Sequence, residues 1–237
     1  MNTVGLTEPA DLGTILGVWA HPDDEAYLMA GTAMLALAHG STVACVTATA
    51  GEAGETADEA TWPQRCLAEI RRGEMAASLA IIGIADHELW HLPDGDLADL
   101  DGDRGPGLVL RALERLQPDT ILTFGADGMT GHPDHVAVGD WAVAAVRQSG
   151  RATRVLAATK EPAWYDEFPD ITEMVFPIGG PETAPIDITL RVDLPDNVVD
   201  RKLDALRAQA SQTTGLLQLM GVAAYRQWLR TEYWVER

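Results

Sequence analysis

Apolar residues along this chain fall into two kinds of segment, and the two kinds alternate. The runs at residues 14–20 and 42–48 are short and nearly continuous, as is typical of strands buried on both faces. Residues 25–39, between them, are dense in Ala, Leu and Met, and Gly40 follows as a helix stop signal. The pattern therefore predicts a strand, a helix and a second strand.

The same alternation continues downstream. A helix is predicted from about Trp62, with Pro63 in its first turn, to Gly83. Strands are then predicted at 88–92, 120–124 and 155–159, helices at 107–117, 135–148 and from 196 onward, and loops with a short strand at 186–192 within residues 161–195. Such alternation indicates a parallel sheet with right-handed crossovers. The expected fold class is α/β, a three-layer α/β/α sandwich with a mostly parallel, Rossmann-like sheet, in a single domain over residues 1–237.

Composition and charge narrow the class of protein. A hydrophobic fraction of 46% and a charged fraction of 22% are typical of a soluble globular chain. The formal net charge of −19 repels phosphate backbones and anionic bilayers, so we expect neither a nucleic acid nor a membrane as partner. The absence of a basic leader or a long apolar segment predicts a cytoplasmic protein. Cys45 and Cys66 lie inside apolar patterns, which predicts buried free thiols.

Two clusters of His, Pro and Asp each follow a predicted strand. His21-Pro22-Asp23-Asp24-Glu25 comes after the first strand, and His132-Pro133-Asp134-His135 follows the strand at 120–124. Because the carboxyl ends of parallel strands meet at one edge of an open sheet, we expect the two clusters to meet. His21, Asp24 and His135 then form a set of two histidines and one carboxylate, which with an open position suits a catalytic zinc ion. The remaining groups, Asp23 and His132, are left for proton transfer.

Each cluster also has a purely structural explanation. A histidine before a proline is often a surface or capping residue, and Asp23, Asp24 and Glu25 suit the positive end of a helix dipole. One cluster alone would therefore be weak evidence of chemistry. Two such clusters at two strand ends of one α/β pattern favour the metal site.

With these motifs the chain resembles the PIG-L or LmbE-like family of zinc-dependent N-acetylglucosaminyl deacetylases, whose motifs are a strand-ending AHPDDE and a later HPDH. Both motifs are present without a mismatch, and the resemblance spans roughly residues 14–215. It implies hydrolysis of an N-acetyl (amide) group on an amino sugar or a GlcNAc-containing small molecule, with release of acetate and a free amine. It also suggests a homo-oligomer.

The resemblance implies roles for individual residues. His21, Asp24 and His135 are expected to bind Zn²⁺, although the same ligand set accepts other divalent metals. Asp23 is expected to be the general base. His132 is expected to stabilise the oxyanion or to act as an acid.

Substrate contacts are expected from Arg71 and Asp94, which would hold sugar hydroxyls or nearby groups. Glu25 and Glu52 are lesser candidates for the same role. On a purely structural interpretation, Arg71 is instead a helix-face partner of Glu74.

Thr130 departs from the family pattern. Some relatives that act on a mycothiol precursor carry a Tyr at this position, two residues before the first His of the second motif, where it can polarise the amide carbonyl. Thr is shorter and less acidic, which argues against a tyrosine-assisted mechanism and against that subgroup.

Other interpretations stay open. An amidase that cleaves a larger sugar-linked amide, such as a thiol conjugate, would use the same motifs. A non-catalytic metal- or nucleotide-binding module is disfavoured, because the first strand is not followed by a Gly-x-Gly-x-x-Gly turn. The aspartate-rich loop 94–106 either borders the pocket or is solvated. The aromatic residues Tyr225, Trp228, Tyr233 and Trp234 are expected in the core or at an oligomer contact.

Overall fold

The chain folds around a central β-sheet. A computed structural model describes residues 8–56, 58–176 and 180–237. The strands are β1 (Ile15–Trp19), β2 (Val43–Thr49), β3 (Asp86–Leu92), β4 (Thr120–Phe124), β5 (Arg154–Thr159), β6 (Leu190–Asp193) and β7 (Thr231–Glu236). Their order across the sheet is β3-β2-β1-β4-β5-β7-β6, in which β1 to β5 run parallel and β7 is antiparallel to both β5 and β6.

Ten α-helices occur among the described residues. They are α1 (Asp24–Leu28), α2 (Ala30–Ala38), α3 (Leu67–Ile82), α4 (Arg104–Leu116), α5 (Gly128–Gly131), α6 (Pro133–Ser149), α7 (Pro162–Glu167), α8 (Pro169–Val175), α9 (Asp196–Ala208) and α10 (Ala210–Trp228). In one group α1, α2, α3 and α9 pack against each other, and separately α4 packs on α6. The predicted α/β fold with a mostly parallel sheet is confirmed.

The sheet reverses its direction of growth at β1. The chain passes from β1 to β2 and β3 on one side, and then returns across β1 to place β4 and β5 on the other side. Right-handed crossovers put the helices of the two halves on opposite faces. The carboxyl ends of β1 and β4 therefore flank a crevice that no crossover covers, and this is where α/β sheets bind ligands.

Continuous apolar runs predicted the central strands well. All residues of β1, β2 and β4 are buried, and the bounds of these strands differ from the predicted ones by no more than one residue at each end. The predicted helix at 25–39 is divided at Met29, where φ is −119°, into α1 and α2.

Several expectations were wrong. The strand predicted at 186–192 begins only at Leu190, and Ile186 is 90% exposed in a short 3₁₀ turn. Cys66 is exposed, because it lies in the 3₁₀ turn before α3 rather than on its buried face, whereas Cys45 is buried as expected. The helix predicted at 107–117 already starts at Arg104, since Pro106 fits its first turn. Residues 177–179 of the predicted loop region lie outside the described residues.

The C-terminal aromatic residues belong to the core. Tyr225, Trp228, Tyr233 and Trp234 are all at most 7% exposed, and the last two lie on β7, a strand that the sequence pattern did not predict. The part of the chain that the structure describes has no helix both long and apolar enough to cross a membrane.

A buried ion pair joins β7 to the helices that surround the crevice. Glu232 is 2% exposed and accepts hydrogen bonds from the backbone N–H groups of Gly31 and Thr32, both at 2.8 Å, in the first turn of α2. Lys202 of α9 donates to Glu232 Oε1 at 2.6 Å and to the carbonyl of Tyr27 at 2.7 Å. Buried charges are tolerated only when they are paired and hydrogen-bonded in this way.

Replacing Glu232 should therefore destabilise the fold. We expect Glu232→Ala to lower the free energy of unfolding by about 3–5 kcal/mol, because Lys202 is left as an unpaired buried charge. Asp204→Ala is the matched control: it removes the exposed partner of Arg207 and should cost at most about 1 kcal/mol. Urea unfolding of both variants measures the difference, and equal losses would contradict this role of Glu232.

Candidate active site

The structure brings the two His-Pro-Asp clusters together at the carboxyl edge of the sheet. His21 follows the end of β1 and Asp24 begins α1, while His132 and His135 lie at the start of α6, after β4. His132 is the N-cap of α6, and its Nδ1 accepts from the backbone N–H of Asp134 at 3.2 Å. All these side chains lie at the crevice beside the reversal of strand order.

Three side chains of this crevice have donor atoms that lie pairwise close to one another. His21 Nδ1 lies 3.1 Å from His135 Nε2 and 3.8 Å from Asp24 Oδ2, and His135 Nε2 lies 3.5 Å from Asp24 Oδ1. All three residues are at most 9% exposed. Ligand atoms around a tetrahedral ion with bonds of about 2.0–2.1 Å are separated by about 3.3 Å. The spacing of this donor set therefore fits a small divalent metal ion.

The hydrogen bonds behind the two histidine rings decide which nitrogen atoms face each other. His21 Nε2 is 3.0 Å from Asp94 Oδ1 and 3.2 Å from Asp134 Oδ2, so it carries the proton and donates it. His135 Nδ1 donates to the carbonyl of Gly128 at 2.9 Å. In the neutral rings, lone pairs on His21 Nδ1 and His135 Nε2 thus face each other at 3.1 Å, which only a proton or a cation between them makes favourable.

The pKa values of the two histidines move in opposite directions. Burial by itself lowers the pKa of His21, but hydrogen bonds to Asp134 and Asp94 and the charge of Asp24 raise it to about 10. Burial lowers the pKa of His135 to about 4, although Asp24 opposes the shift. The carboxylates around His21 therefore favour positive charge at this position.

Asp23 faces the crevice next to this donor set. Its φ of 99° lies in the left-handed region, which is unfavourable for a residue with a side chain, and Glu25 Oε2 accepts its backbone N–H at 3.1 Å. Burial raises the pKa of Asp23 to about 7, against the charges of Arg71 and His21. A carboxylate with such a pKa can both take up and release a proton near neutral pH.

Arg71 is buried and holds the backbone around Asp23. Its Nη1 donates to the carbonyl of Gly51 at 2.8 Å and its Nη2 to the carbonyl of Pro22 at 2.6 Å, while Asp23 Oδ2 lies 3.4 Å from Nη2. Gly51 has a φ of 68°, and a side chain there would collide with the guanidinium. The neighbour expected from helix spacing, Glu74, instead accepts hydrogen bonds from Ser211 and is not the partner of Arg71 in these contacts.

Glu25 and Glu52, the two lesser candidates for substrate contact, differ in their surroundings. Glu25 is fully buried, accepts from Gln209 Nε2 at 2.6 Å, and has its pKa raised to about 8 by burial. Glu52 is exposed and accepts the backbone N–H of Asp94 at 3.2 Å. Glu25 therefore supports the turn that carries Asp23, and Glu52 supports the loop that carries Asp94.

One polar cavity of about 240 Å³ brings together the predicted metal ligands, the two predicted proton-transfer residues and both main candidates for substrate contact, but not Glu25 or Glu52. Its lining includes His21, Asp23, Asp24, Arg71, Asp94, His132 and His135. Gln212 of α10 also lines it, although the motifs alone assigned this residue no role. Asp134 was missed as well, although it stands between the two histidines of the second motif.

Asp134 is fully buried and organises the crevice from behind. Its Oδ1 accepts the backbone N–H of Leu97 at 3.0 Å, and its Oδ2 accepts the N–H of Gly95 at 2.8 Å and faces His21. These bonds and the one from His21 keep the pKa of Asp134 low, although burial raises it. Asp134 thus ties the second cluster to the first cluster and to the loop after β3.

The remaining sequence features divide between the site and the solvent. Thr130 Oγ1 lies 3.4 Å from His135 Nδ1, so the position that carries Tyr in some relatives borders the site. In the aspartate-rich loop 94–106, Asp94 borders the cavity, and its Oδ2 accepts the N–H of Ala53 at 2.7 Å. The other aspartates of this loop are exposed, as a solvated loop requires.

Comparison with known proteins gives consistent similarities. The family model described as PIG-L, GlcNAc-PI de-N-acetylase, matches residues 16–146. A curated relative, 1D-myo-inositol 2-acetamido-2-deoxy-alpha-D-glucopyranoside deacetylase of Corynebacterium glutamicum, is 32% identical over 219 residues, which cover 84% of this chain and 74% of the relative.

Solved structures share the fold. N,N'-diacetylchitobiose deacetylase from Pyrococcus horikoshii is 21% identical with a TM-score of 0.64, and the match covers 96% of this chain and 84% of that one. GalB, the 4-carboxy-2-hydroxymuconate hydratase of Pseudomonas putida, is 19% identical with a TM-score of 0.63 and coverage of 94% and 95%. Since the similar structures include a hydratase, the fold alone does not decide the reaction.

The buried position of Arg71 generates a testable prediction. Arg71→Met should lower the free energy of unfolding by about 2–4 kcal/mol, because the carbonyls of Pro22 and Gly51 lose their partners. Arg72→Met is the matched control one residue along the same helix, and because Arg72 is exposed, the change should stay within about 0.5 kcal/mol. Denaturant titration compares them. If both variants are equally stable, Arg71 does not hold these loops.

Proposed function

The chain belongs to the PIG-L (GlcNAc-PI de-N-acetylase) family. From this membership we propose that it hydrolyses the N-acetyl group of an amino sugar in a small molecule. Water adds to the amide carbonyl, the C–N bond breaks, and acetate and a free amine are released. The observation that carries this proposal is the set of His21, Asp24 and His135, whose donor atoms lie 3.1–3.8 Å apart beside Asp23.

His21, Asp24 and His135 are proposed to hold a divalent metal ion, and Zn²⁺ is the preferred candidate. Two imidazoles and one carboxylate are a ligand set that catalytic zinc uses, and the facing lone pairs of the histidines favour a cation. When bound, such an ion supplies Lewis acidity, which lowers the pKa of a water and polarises a carbonyl. Asp94 and Asp134 hold His21 in the required tautomer.

Asp23 is proposed as the general base that takes the proton of the attacking water. Its pKa near 7 suits this step, because a base is most effective when its pKa lies close to the working pH. Arg71 supports the ionised form electrostatically and fixes the turn through the carbonyl of Pro22. We therefore assign Arg71 to positioning Asp23 rather than to a sugar hydroxyl.

His132 is proposed to stabilise the oxyanion. Because its Nδ1 accepts the backbone N–H of Asp134, the neutral ring carries its proton on Nε2. That N–H can donate to the oxygen on which charge develops. Protonation of Nδ1 would break the bond to Asp134, which favours hydrogen-bond donation over the acid role.

The polar cavity is proposed to bind the sugar. Its carboxylates and the amide of Gln212 match hydroxyl groups, which require hydrogen-bond partners once they leave water. Asp94 retains acceptor capacity beyond its contacts to His21 and Ala53, so a sugar hydroxyl can donate to it.

A cytoplasmic setting is proposed because Cys45 and Cys66 are free thiols. Assembly as a homo-oligomer stays a prediction.

The proposed reaction is tested by acetate release. Metal-reconstituted protein should liberate acetate from N-acetylglucosamine or one of its glycosides, and a sample treated with a chelator should not, because the chelator removes the Lewis acid. Acetate is measured enzymatically alongside the metal content. Zinc-loaded protein that releases no acetate from any member of the panel would argue against an acetyl group as the substrate.

Two substitutions separate the metal from the base. Asp23→Asn should keep its metal but lose on the order of 10²- to 10⁴-fold in kcat, because the proton acceptor is gone. His135→Ala should lose the metal itself, which elemental analysis of the purified variants measures. Native turnover in Asp23→Asn would exclude Asp23 as the base, and stoichiometric metal in His135→Ala would remove His135 from the ligand set.

A further inference from the structure

A second cavity meets the first at the reacting residues. It measures about 250 Å³ and shares Asp23, Asp24 and His135 with the polar cavity. Its walls are largely aromatic and aliphatic: they include Tyr27, Leu28, Phe124, Trp164, Phe176 and Trp228. The proposed site of chemistry therefore has a polar space on one side and an apolar space on the other.

The two spaces match the two halves of an amide substrate. Sugar hydroxyls in the apolar cavity would lose their hydrogen bonds to water without replacement, so the sugar belongs in the polar cavity and the acyl group in the apolar one. A water molecule takes about 30 Å³ of liquid volume, and a methyl group is of similar size. An acetyl group would thus leave most of the 250 Å³ unfilled.

Two lysine side chains line the apolar cavity, although lysine is rare in this chain. Lys160 and Lys202 are the only lysines among 237 residues, and both lie on this cavity. Lys202 is neutralised by Glu232, at 2.6 Å. Lys160 Nζ lies 4.3 Å from the ring centroid of Trp164, and among the described residues its one hydrogen bond is a long 3.4 Å contact to the carbonyl of Thr231.

The surroundings of Lys160 favour the binding of an anion next to its ammonium group. Burial lowers its pKa to about 7, and the charge of Lys202 acts in the same direction, while the charge of Glu232 opposes the shift. Within the described residues no carboxylate lies within ion-pair distance of Lys160. A carboxylate placed in the cavity would favour the charged form and receive the ammonium donors that the protein leaves unused.

Resting on the proposed amide hydrolysis, we infer that the apolar cavity is an acyl pocket for acyl groups longer than acetyl that end in a carboxylate, with Lys160 as the counter-ion. The substrate class then extends from N-acetyl compounds to amino sugars that carry the half-amide of a dicarboxylic acid. Bond changes stay the same: water adds to the carbonyl carbon, the C–N bond breaks, and the products are the amine and a dicarboxylate. Thr130 lines this cavity beside His135, with its Oγ1 3.4 Å from His135 Nδ1, so the acyl pocket begins at the proposed site of chemistry.

The test uses two matched series of N-acylglucosamines. The neutral members carry acetyl, butyryl and hexanoyl groups, and the anionic members carry succinyl and adipoyl groups of the same chain lengths as the last two. Release of free glucosamine gives kcat/KM for each. We expect about a fourfold rise per added methylene until the cavity is filled, and about a tenfold preference for adipoyl over hexanoyl.

Lys160→Met removes the charge and keeps the length of the side chain, so the adipoyl-to-hexanoyl ratio of kcat/KM should fall about tenfold. Arg191→Met is the matched control. Its guanidinium lies 5.3 Å from the Tyr233 ring, as Lys160 Nζ lies 5.5 Å from it, but Arg191 does not line the acyl pocket. The ratio in this variant should equal that of the wild type.

A binding measurement on the wild-type protein avoids dependence on turnover. Adipate should protect Lys160 from an amine-reactive reagent more strongly than hexanoate does, as measured by mass spectrometry against protein that is labelled without either acid.

Hydrolysis of the acetyl compound with falling kcat/KM along both series overturns the acyl pocket but leaves the proposed function intact. An unchanged adipoyl-to-hexanoyl ratio in Lys160→Met overturns the role of Lys160. If no member releases amine, the proposed function fails instead, and the labelling decides the pocket: selective protection by adipate supports it, and no protection overturns it.

Discussion

Two imidazole nitrogens that face each other at 3.1 Å are the arrangement around which this crevice is organised. The protein enforces their approach from behind: carboxylates hold His21 Nε2, and a backbone carbonyl holds His135 Nδ1. Phe124 stacks on the His135 ring at a centroid distance of 4.1 Å and prevents it from turning away. The lone pairs that remain between the rings, beside Asp24, favour a proton or a cation. The hydrogen bonds that fix the two rings therefore favour cation binding at this position.

The buried charges around the crevice also connect distant parts of the chain. Asp134 joins α6 to the loop after β3, Glu25 joins α1 to Gln209 at the start of α10, and Glu232 joins β7 to α2 and α9. Each of these carboxylates is at most 2% exposed and is satisfied by donors from segments remote in sequence. Stability and site geometry therefore depend on the same contacts, because a buried charge that loses its partner cannot be rehydrated without opening the structure.

The contrast between the two cavities favours one orientation of a bound substrate. Carboxylates and the amide of Gln212 on one side can form hydrogen bonds with hydroxyl groups, and the largely aromatic and aliphatic walls on the other side suit apolar groups, so a substrate with one polar and one apolar half has one favourable orientation. Because Asp23 lies where the cavities meet, that orientation presents the bond between the two halves to it. The position of Lys160 adds a second polar requirement at the apolar side.

The sequence by itself determined the α/β class, the buried central strands and the identity of the cluster residues, because periodicity and motif spacing are local properties. It also implied that His21, Asp24 and His135 would meet, since parallel strands align their carboxyl ends. Only the tertiary structure decided what surrounds them. Segments far apart in the chain supply the partners of Arg71, the contacts of Asp134 and the walls of the cavity at Lys160. No local sequence pattern encodes the distances between such segments. β7 escaped prediction for the same physical reason: its pairing with β5 and β6 and the burial of its aromatic residues depend on neighbours that folding alone supplies.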